Sequence, residues 1–273
     1  MVVLGALVRN MAGQHRLAAE LRDPVFGPFT ALGVILPVML GVALAAHVPT
    51  LGKTVYFVGL ALTVTAGCWM SAWWIIETLN VTHWHPGYFL PTVAGGLIAA
   101  NGAATLGFTT LAQLMFGYGM ICWLVLGSIV LGRLFLGPPL PTALLPTLAI
   151  EVAPPAVAGA AWLAINGEQR DLLLTVITGY GVLMVGVQIG LVSQFRRVPF
   201  GPGWWALTFS YAAVAAFGIR WLPLTDLPDA AQTVLAVMVL VVVTVAIVAL
   251  AVRSLAGVWN GTFLPREPVR DQS

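Results

Sequence analysis

Four ionisable side chains close to apolar stretches are the residues of this sequence most able to do chemistry: Glu77, His83, His85 and Glu151. The two histidines form an H-x-H pair, but a zinc site would need further ligands nearby, and only Glu77 is a candidate. We therefore interpret His83 and His85 as solvated loop residues and Glu77 as a structural residue. The sequence predicts no metal site, no cofactor and no catalytic group.

Glu151 is different because it stands directly before the apolar stretch VAPPAVAG, at or just inside the edge of a membrane segment. Ionisable residues inside such segments are costly and often belong to ion or proton pathways. Glu151 is therefore a candidate proton-coupling carboxylate near the mouth of a pore. The alternative is that its side chain reaches the membrane interface or pairs with an arginine such as Arg133.

The elements that must position these residues are membrane-spanning helices. The chain has 273 residues, of which 59% are hydrophobic and 8% are charged, whereas about 25% are charged in a soluble domain. No stretch alternates polar and apolar residues as a β-barrel does, and a net charge of +2 does not favour a nucleic-acid partner. Apolar segments long enough to cross a bilayer lie at 28–46, 55–79, 89–108, 112–136, 143–165, 171–194, 203–219 and 231–256, after an apolar stub at 1–8 and an amphipathic stretch at 9–25.

The segments alternate in character. Those at 28–46, 89–108, 143–165 and 203–219 are rich in small residues, and those between them are bulkier and typical of a lipid-facing surface. Pro37, Pro91 and Pro154 occupy matching places in the first three small-residue segments. Proline inside such a helix frees a backbone carbonyl and bends the helix, which is tolerated within protein or beside water. The pattern predicts helical hairpins with inner and outer members, in which the prolines either shape a pore lining or are bends of a membrane helix without any pore.

Phe209 interrupts the small-residue pattern, because Ala212, Ala213 and Ala216 are its neighbours on the same helix face. A single ring among alanines could move aside or block a pore by dewetting; the alternative is a core residue that fills space between helices. The inner segments carry no arginine or lysine at mid-depth. Any polar lining that these segments offer would then consist of backbone groups, helix dipoles and hydroxyls such as those of Thr92 and Thr208.

Further residues inside the segments have structural interpretations. Asn101 and Gln188 lie deep in the bilayer and are predicted to form hydrogen bonds between helices. Cys68 and Cys122 are interpreted as small core residues. Loop arginines are the orientation signal: Arg9, Arg16, Arg22, Arg133, Arg196, Arg197, Arg253, Arg266 and Arg270 fall on one side, against Lys53, Arg170 and Arg220 on the other. The positive-inside rule makes the first side, with the C-terminus, cytoplasmic.

Four stretches carry a family resemblance: THWHPGYFLPTVAGG, MFGYGMICWLV, APPAVAGAAWLAING and GWWALTFSYAA, which begin at Thr82, Met115, Ala153 and Gly203. With this order and spacing, the chain resembles the tellurite-resistance/C4-dicarboxylate transporter family, which includes the TehA proteins and the SLAC1-type anion channels. The resemblance implies an all-α polytopic fold of hairpins in a quasi-fivefold arrangement around a central pore. It also implies a homotrimer, and a gating role for Phe209.

The resemblance predicts a single transmembrane domain over residues 1–260, with eight full membrane helices and a partial N-terminal one, and a short cytoplasmic tail at 261–273. The repeat predicts one more inner helix before Met1, so a misassigned start, a fragment or a pore with four inner walls are all open. The leading hypothesis is an anion channel or channel-like permease of the inner membrane. The alternative is a proton-coupled carrier of C4-dicarboxylates, sulfite or tellurite-type oxyanions; an enzyme or a structural subunit is disfavoured.

Overall fold

The computed structural model describes residues 22–77, 79–260 and 263, and these residues contain helices and no strand. The apolar stub at 1–8, most of the amphipathic stretch and most of the predicted tail lie outside the described residues. Eight α-helices occur in the described part: α1 Leu32–Ala45, α2 Pro49–Ile76, α3 Gly95–Thr105, α4 Thr109–Leu136, α5 Ala153–Asn166, α6 Leu172–Phe195, α7 Trp205–Trp221 and α8 Asp229–Trp259. The prediction of an all-α polytopic membrane protein is confirmed.

Seven helical stretches in the described part are long and apolar enough to cross a membrane. Three of them include a 3₁₀ lead-in, Gly27–Ala31 before α1, Thr142–Val152 before α5 and Pro202–Trp204 before α7. The remaining predicted segment, 89–108, forms a five-residue π-helical turn, Leu90–Ala94, followed by the 11-residue α3. It is helical as predicted but shorter than the other seven.

The described residues group into two compact units. The first unit contains the residues up to Leu140 together with Val157–Ile177, and the second contains Pro141–Ala156 together with the residues from Thr178 onward. In the first unit α1 packs on α2, and α3 packs on α4, each as a hairpin. In the second unit α7 packs on α8 and on the 3₁₀ stretch Thr142–Val152. The single domain predicted over residues 1–260 stays a prediction.

Short turns join the helices of each hairpin. Gly107 has φ of +85°, a left-handed conformation that glycine adopts without strain, and it turns the chain between α3 and α4. Asp171 begins α6 by accepting a hydrogen bond from the backbone nitrogen of Leu174 at 2.8 Å, which satisfies a free donor of the first turn. Trp162 donates to the other carboxylate oxygen of Asp171 at 2.8 Å.

Burial among the described residues differs between the four predicted inner segments, and their inner position stays a prediction. In the most apolar 18 residues of each span, 72% of the residues are buried in Thr142–Asn166 and none in α8, whose buried residue Ser254 lies outside that window. The stretch from Leu90 to Leu97 is buried throughout. In the corresponding windows of Gly27–Ala45 and Pro202–Leu224, both predicted as inner, only 28% and 17% of the residues are buried. Described residues cover only part of the surface of each of these two helices, which leaves the rest exposed.

Candidate functional site

Phe209 lies in the first half of α7, on a face that the described residues leave loosely packed. Phe209, Ala212 and Ala213 are half-buried, and Ala216 is exposed. Three other residues of the same helix are buried: Ser210, Ala215 and Phe217. The ring of Phe209 therefore has alanine neighbours along α7 and is not locked into a core.

Two side-chain hydrogen bonds fasten α7 within the second unit. The indole nitrogen of Trp205 donates to the hydroxyl of Ser254 on α8 at 3.1 Å. The hydroxyl of Tyr211 donates to Oε1 of Gln188 on α6 at 3.4 Å, and Gln188 Nε2 donates to the carbonyl of Leu148 at 2.9 Å. The interhelical hydrogen bonding predicted for Gln188 is confirmed.

Glu151 belongs to the same unit and is 5% exposed, near the end of the 3₁₀ stretch Thr142–Val152. Its Oε1 atom has no hydrogen-bond partner among the residues the structure describes. Glu151 is therefore largely shielded from water by the described residues, and its role stays a prediction. Arg133, the partner considered in the sequence analysis, donates instead to the carbonyl of Thr82 at 3.1 Å.

The three predicted proline bends have three different local structures. Pro37 lies inside the regular helix α1, Pro91 lies in the π-helical turn, and Pro154 is the second residue of α5, directly after a 3₁₀ stretch. Helix α2 contacts α1 near Pro37: the hydroxyl of Thr63 donates to the carbonyl of Val34 at 3.0 Å, next to the carbonyl that Pro37 leaves without a helix partner.

The π-helical turn around Pro91 is packed tightly against α2 and α4. Gly67 has no side chain at the point where the Tyr118 hydroxyl and the Pro91 carbonyl oxygen approach, and a Cβ there would lie 3.2 Å from that oxygen. π-helical turns inside helices are rare and are frequent at functional sites. Pro91 was predicted from the sequence, but Gly67 and Tyr118 were not. A glycine in one apolar segment and an aromatic residue in another could have indicated that the two segments approach closely here.

Thr92, the second residue after the start of this turn, is 1% exposed, and its hydroxyl has no hydrogen-bond partner in the described part of the chain. It lines a cavity of about 330 Å³ between α2 and α4, which is otherwise walled by Ser71, Trp74, Ile75, Trp84, Ile121, Cys122, Val125 and Leu126. Ile75 and Ile121 are exposed, so this cavity opens at the surface of the first unit. Thr208, by contrast, donates to the carbonyl of Trp205 within its own helix at 2.8 Å.

The prediction that His85 is a solvated loop histidine is wrong. His85 is 0% exposed and stacks on Phe29 with ring centroids 5.4 Å apart. Its Nδ1 accepts from the backbone nitrogen of Gly87 at 3.1 Å, so Nε2 carries the proton and donates to the Val25 carbonyl at 2.9 Å. Burial lowers the pKa of His85 from 6.5 to about 4, and the nearby Arg133 acts in the same direction.

The neighbouring candidates follow their predictions more closely. His83 and Glu77 are exposed, as expected for a loop histidine and a structural glutamate near a helix end. Residues 22–77, 79–260 and 263 contain no cluster of three or more His, Cys, Asp or Glu side chains able to hold a metal ion. One prediction fails, because Cys68 is exposed and is not a core residue. The interhelical hydrogen bond expected of Asn101 stays a prediction.

The predicted site residues fall into two groups. Pro37, Pro91 and Thr92 belong to the first unit, and α2 lies beside both of its proline-bearing segments. Glu151, Pro154, Thr208 and Phe209 belong to the second unit, where Gln188 connects the segment of Glu151 with the helix of Phe209. Gln188 was predicted from the sequence to form a hydrogen bond between helices, but Tyr211 was not predicted as its partner.

Seven long apolar helices in the described residues, with no strand among them, define a polytopic α-helical membrane protein. The chain belongs to the SLAC1 family, described as voltage-dependent anion channels, which it matches over residues 1–255. The resemblance inferred from the four sequence stretches is thereby confirmed.

Three relatives illustrate the range of the family. The chain is 29% identical to the tellurite resistance protein TehA homolog of Haemophilus influenzae over 202 residues, which are 74% of this chain and 61% of the relative. It is 25% identical to an uncharacterized transporter of Methanocaldococcus jannaschii over 74% of this chain and 66% of the relative. It is 29% identical to the S-type anion channel SLAH1 of Arabidopsis thaliana over 48% of this chain and 34% of the relative. The chain thus spans less than two thirds of the length of each relative.

Proposed function

We propose that this chain forms a passage for small inorganic or organic anions across a membrane, with Phe209 as its gate. One observation carries the proposal: in a member of an anion-channel family, Phe209 stands on a helix face where its neighbours are alanines and where packing is incomplete. The relatives include a tellurite resistance protein homolog and an S-type anion channel, and this similarity supports transport of anions. A transport role is proposed rather than an enzymatic one.

The gate acts through the size and apolarity of the phenylalanine ring. A constriction closed by an apolar side chain excludes water, and an ion cannot cross a dry constriction at low cost. A ring beside alanines has room to turn away, which reopens the passage without disturbing a packed core. Thr208, one residue earlier, and Thr92 on the π-helical turn are proposed to line the passage, and Pro37, Pro91 and Pro154 are proposed to shape it.

The test is the anion conductance of purified protein in planar bilayers. Phe209→Ala removes the ring from a half-buried position, so we expect the conductance to rise several-fold. Phe217→Leu is the matched control, because Phe217 is a buried aromatic residue of the same helix and should leave conductance unchanged. Equal conductance of Phe209→Ala and the unsubstituted protein would exclude Phe209 as the gate.

A second candidate function is a proton-coupled carrier of C4-dicarboxylates, sulfite or tellurite-type oxyanions. The observation that favours it is the burial of Glu151, whose Oε1 has no partner among the described residues. Carboxylates buried in membrane segments are typical of proton relays. In the carrier, Glu151→Gln abolishes the dependence of anion flux on a proton gradient, whereas the exposed Glu77→Gln leaves it intact; in the channel, neither substitution changes it.

The proposed setting is the inner, or plasma, membrane, crossed several times with the C-terminus in the cytoplasm. The excess of loop arginine on one side supports this orientation. A homotrimer is proposed from the family resemblance alone. Protease accessibility of a C-terminal tag in sealed vesicles tests the orientation, and the mass of the detergent-solubilised particle tests the trimer.

A further inference from the structure

We propose that Gln188 is a positioning residue for Phe209: its side-chain amide fixes the rotation of α7 and therefore the direction in which the ring points. This inference rests on the proposed role of Phe209 as a gate. It concerns how the closed position is held rather than what passes through. All of the contacts involved lie within the second unit.

The amide of Gln188 is buried and uses both of its ends. Gln188 is 3% exposed in α6, a helix that is apolar and long enough to span a membrane. Nε2 donates to the Leu148 carbonyl at 2.9 Å, and Oε1 accepts from the Tyr211 hydroxyl at 3.4 Å. Because a membrane interior offers no water to replace a lost partner, both contacts resist separation of the three segments they join.

The first contact anchors Gln188 on the segment that carries Glu151. Leu148 and Glu151 both belong to the 3₁₀ stretch Thr142–Val152 and are three residues apart. A 3₁₀-helix has three residues per turn, so these two residues lie one above the other on the same face. The Gln188 amide is therefore hydrogen-bonded to a buried stretch, and this contact restricts the position of the amide that contacts α7.

The second contact and the Trp205–Ser254 contact hold α7 from two directions. An α-helix turns by about 100° per residue, so Trp205 lies about 40° from Phe209 around the helix axis and Tyr211 about 200° from it. Trp205 is bonded to α8 at 3.1 Å, and Tyr211 is bonded to α6. A rotation that swings Phe209 out of its present direction must break at least one of these two bonds.

The loss of the Gln188 contacts is expected to lower the population of the present orientation. Hydrogen bonds between membrane helices typically change such an equilibrium by about threefold to about twentyfold. Gln188→Leu removes both contacts with an apolar side chain that suits the membrane. Tyr211→Phe removes only the contact with α7 and preserves the ring, so it tests the same idea if Gln188→Leu folds poorly.

The experiment measures the orientation of α7 directly. Spin labels are attached to single cysteines at Ala212, Ala213 and Ala216 in a Cys68→Ala, Cys122→Ala background, in lipid bilayers. Collision rates of each label with oxygen and with a water-soluble nickel chelate show which positions face lipid, water or protein. Together the three positions give an accessibility pattern around the helix. We expect this pattern to rotate in Gln188→Leu and in Tyr211→Phe.

Ser210→Ala is the matched control, because the Ser210 hydroxyl is buried on the same helix but bonds only to the Ala206 carbonyl of its own turn, at 3.0 Å. Its collision pattern should match that of the unsubstituted protein. An unchanged pattern in both Gln188→Leu and Tyr211→Phe overturns the inference. So does a change of the same size in the control, since the effect would then not depend on the Gln188 contacts.

Conductance separates this inference from the proposed function. If both hold, Gln188→Leu raises conductance, and adding Gln188→Leu to Phe209→Ala produces no further rise, since there is then no ring left to position. If the collision pattern rotates while Phe209→Ala leaves conductance unchanged, Gln188 positions α7 but the gate proposal fails. If Phe209→Ala raises conductance while the pattern stays fixed, the gate holds and the role of Gln188 is excluded.

Discussion

The helices α3 and α7 both contain many small residues, and they use them in opposite ways. In α3 the small residues bring backbones together: a Cβ on Gly96 would lie 2.8 Å from the backbone nitrogen of Gly119 on α4. In α7 they leave space: Ala216 is exposed, and a Cβ on Gly218 would meet nothing within 4 Å. Small residues in a membrane helix therefore indicate either close packing or free volume, and the facing surface decides between them.

This difference in packing suits the proposed roles of the two helices. Buried residues occupy most of α3, and the preceding π-helical turn is buried throughout. Such a segment can serve as a fixed wall. Only three residues of α7 are buried, and side-chain hydrogen bonds at Trp205 and Tyr211 hold it in place. A helix held mainly by a few directional contacts can change orientation at a lower cost than one embedded in close packing.

The largest expected effect comes from removing side-chain volume in each helix. Leu97 in α3 is 0% exposed, so Leu97→Ala should leave a cavity and lower the free energy of unfolding by about 2–5 kcal/mol. Phe209→Ala removes a larger side chain from a half-buried position in α7 and should cost clearly less. Melting temperatures of the two variants in the same detergent test the comparison, which fails if Phe209→Ala is the more destabilising substitution.

A smaller effect is expected when volume is added to each helix. Gly96→Ala forces a methyl group against the backbone of Gly119, and overpacking of this kind costs about 1–3 kcal/mol. Gly218→Ala is the matched control, since it places the same methyl group in open space and should not lower the melting temperature. Similar melting temperatures for the two variants would show that the small residues of α3 are not needed for close approach.

The positions of the helices could be predicted from the sequence because bilayer thickness dictates the length of an apolar segment. All eight predicted segments are helical, and α8 faces outward as its valine-rich composition indicates. The extent of burial could not be predicted in the same way. Alanine and glycine are compatible with both packed and open faces, so the low share of buried residues in Gly27–Ala45 and in Pro202–Leu224 depends on neighbours that composition does not identify.

The contacts of the candidate site could likewise be predicted only in part. Gln188 was predicted to form hydrogen bonds, because an amide deep in a membrane segment needs partners, but its particular partners Leu148 and Tyr211 depend on the three-dimensional arrangement. His85 was misinterpreted for the converse reason. A histidine in a short loop normally meets water, and nothing in the HWHPG stretch shows that Phe29 and Val25, about 60 residues earlier, cover its ring.

The smallest expected effect concerns the turns that lead into the two helices. Before α3, His85 is buried and neutral, with its pKa lowered from 6.5 to about 4. The unfolded chain therefore binds a proton between these two values while the folded protein does not, so stability is complete above pH 6.5 and falls as the pH drops towards 4. Near pH 5.5 the expected loss is about 1 kcal/mol. The turn before α7 contains no histidine, and its Trp204 indole donates to the Pro199 carbonyl at 3.0 Å without a titratable group.

Melting temperatures between pH 7.5 and pH 5 in detergent measure this effect. His85→Gln should be less stable at neutral pH, because it loses the stacking on Phe29, but its stability should depend less on pH than that of the unsubstituted protein. His83→Gln, an exposed neighbour two residues earlier, should retain the full dependence. If the melting temperature of His85→Gln falls by the same amount, a group other than His85 causes the pH dependence. The proposed difference between the loop before α3 and the loop before α7 is then wrong.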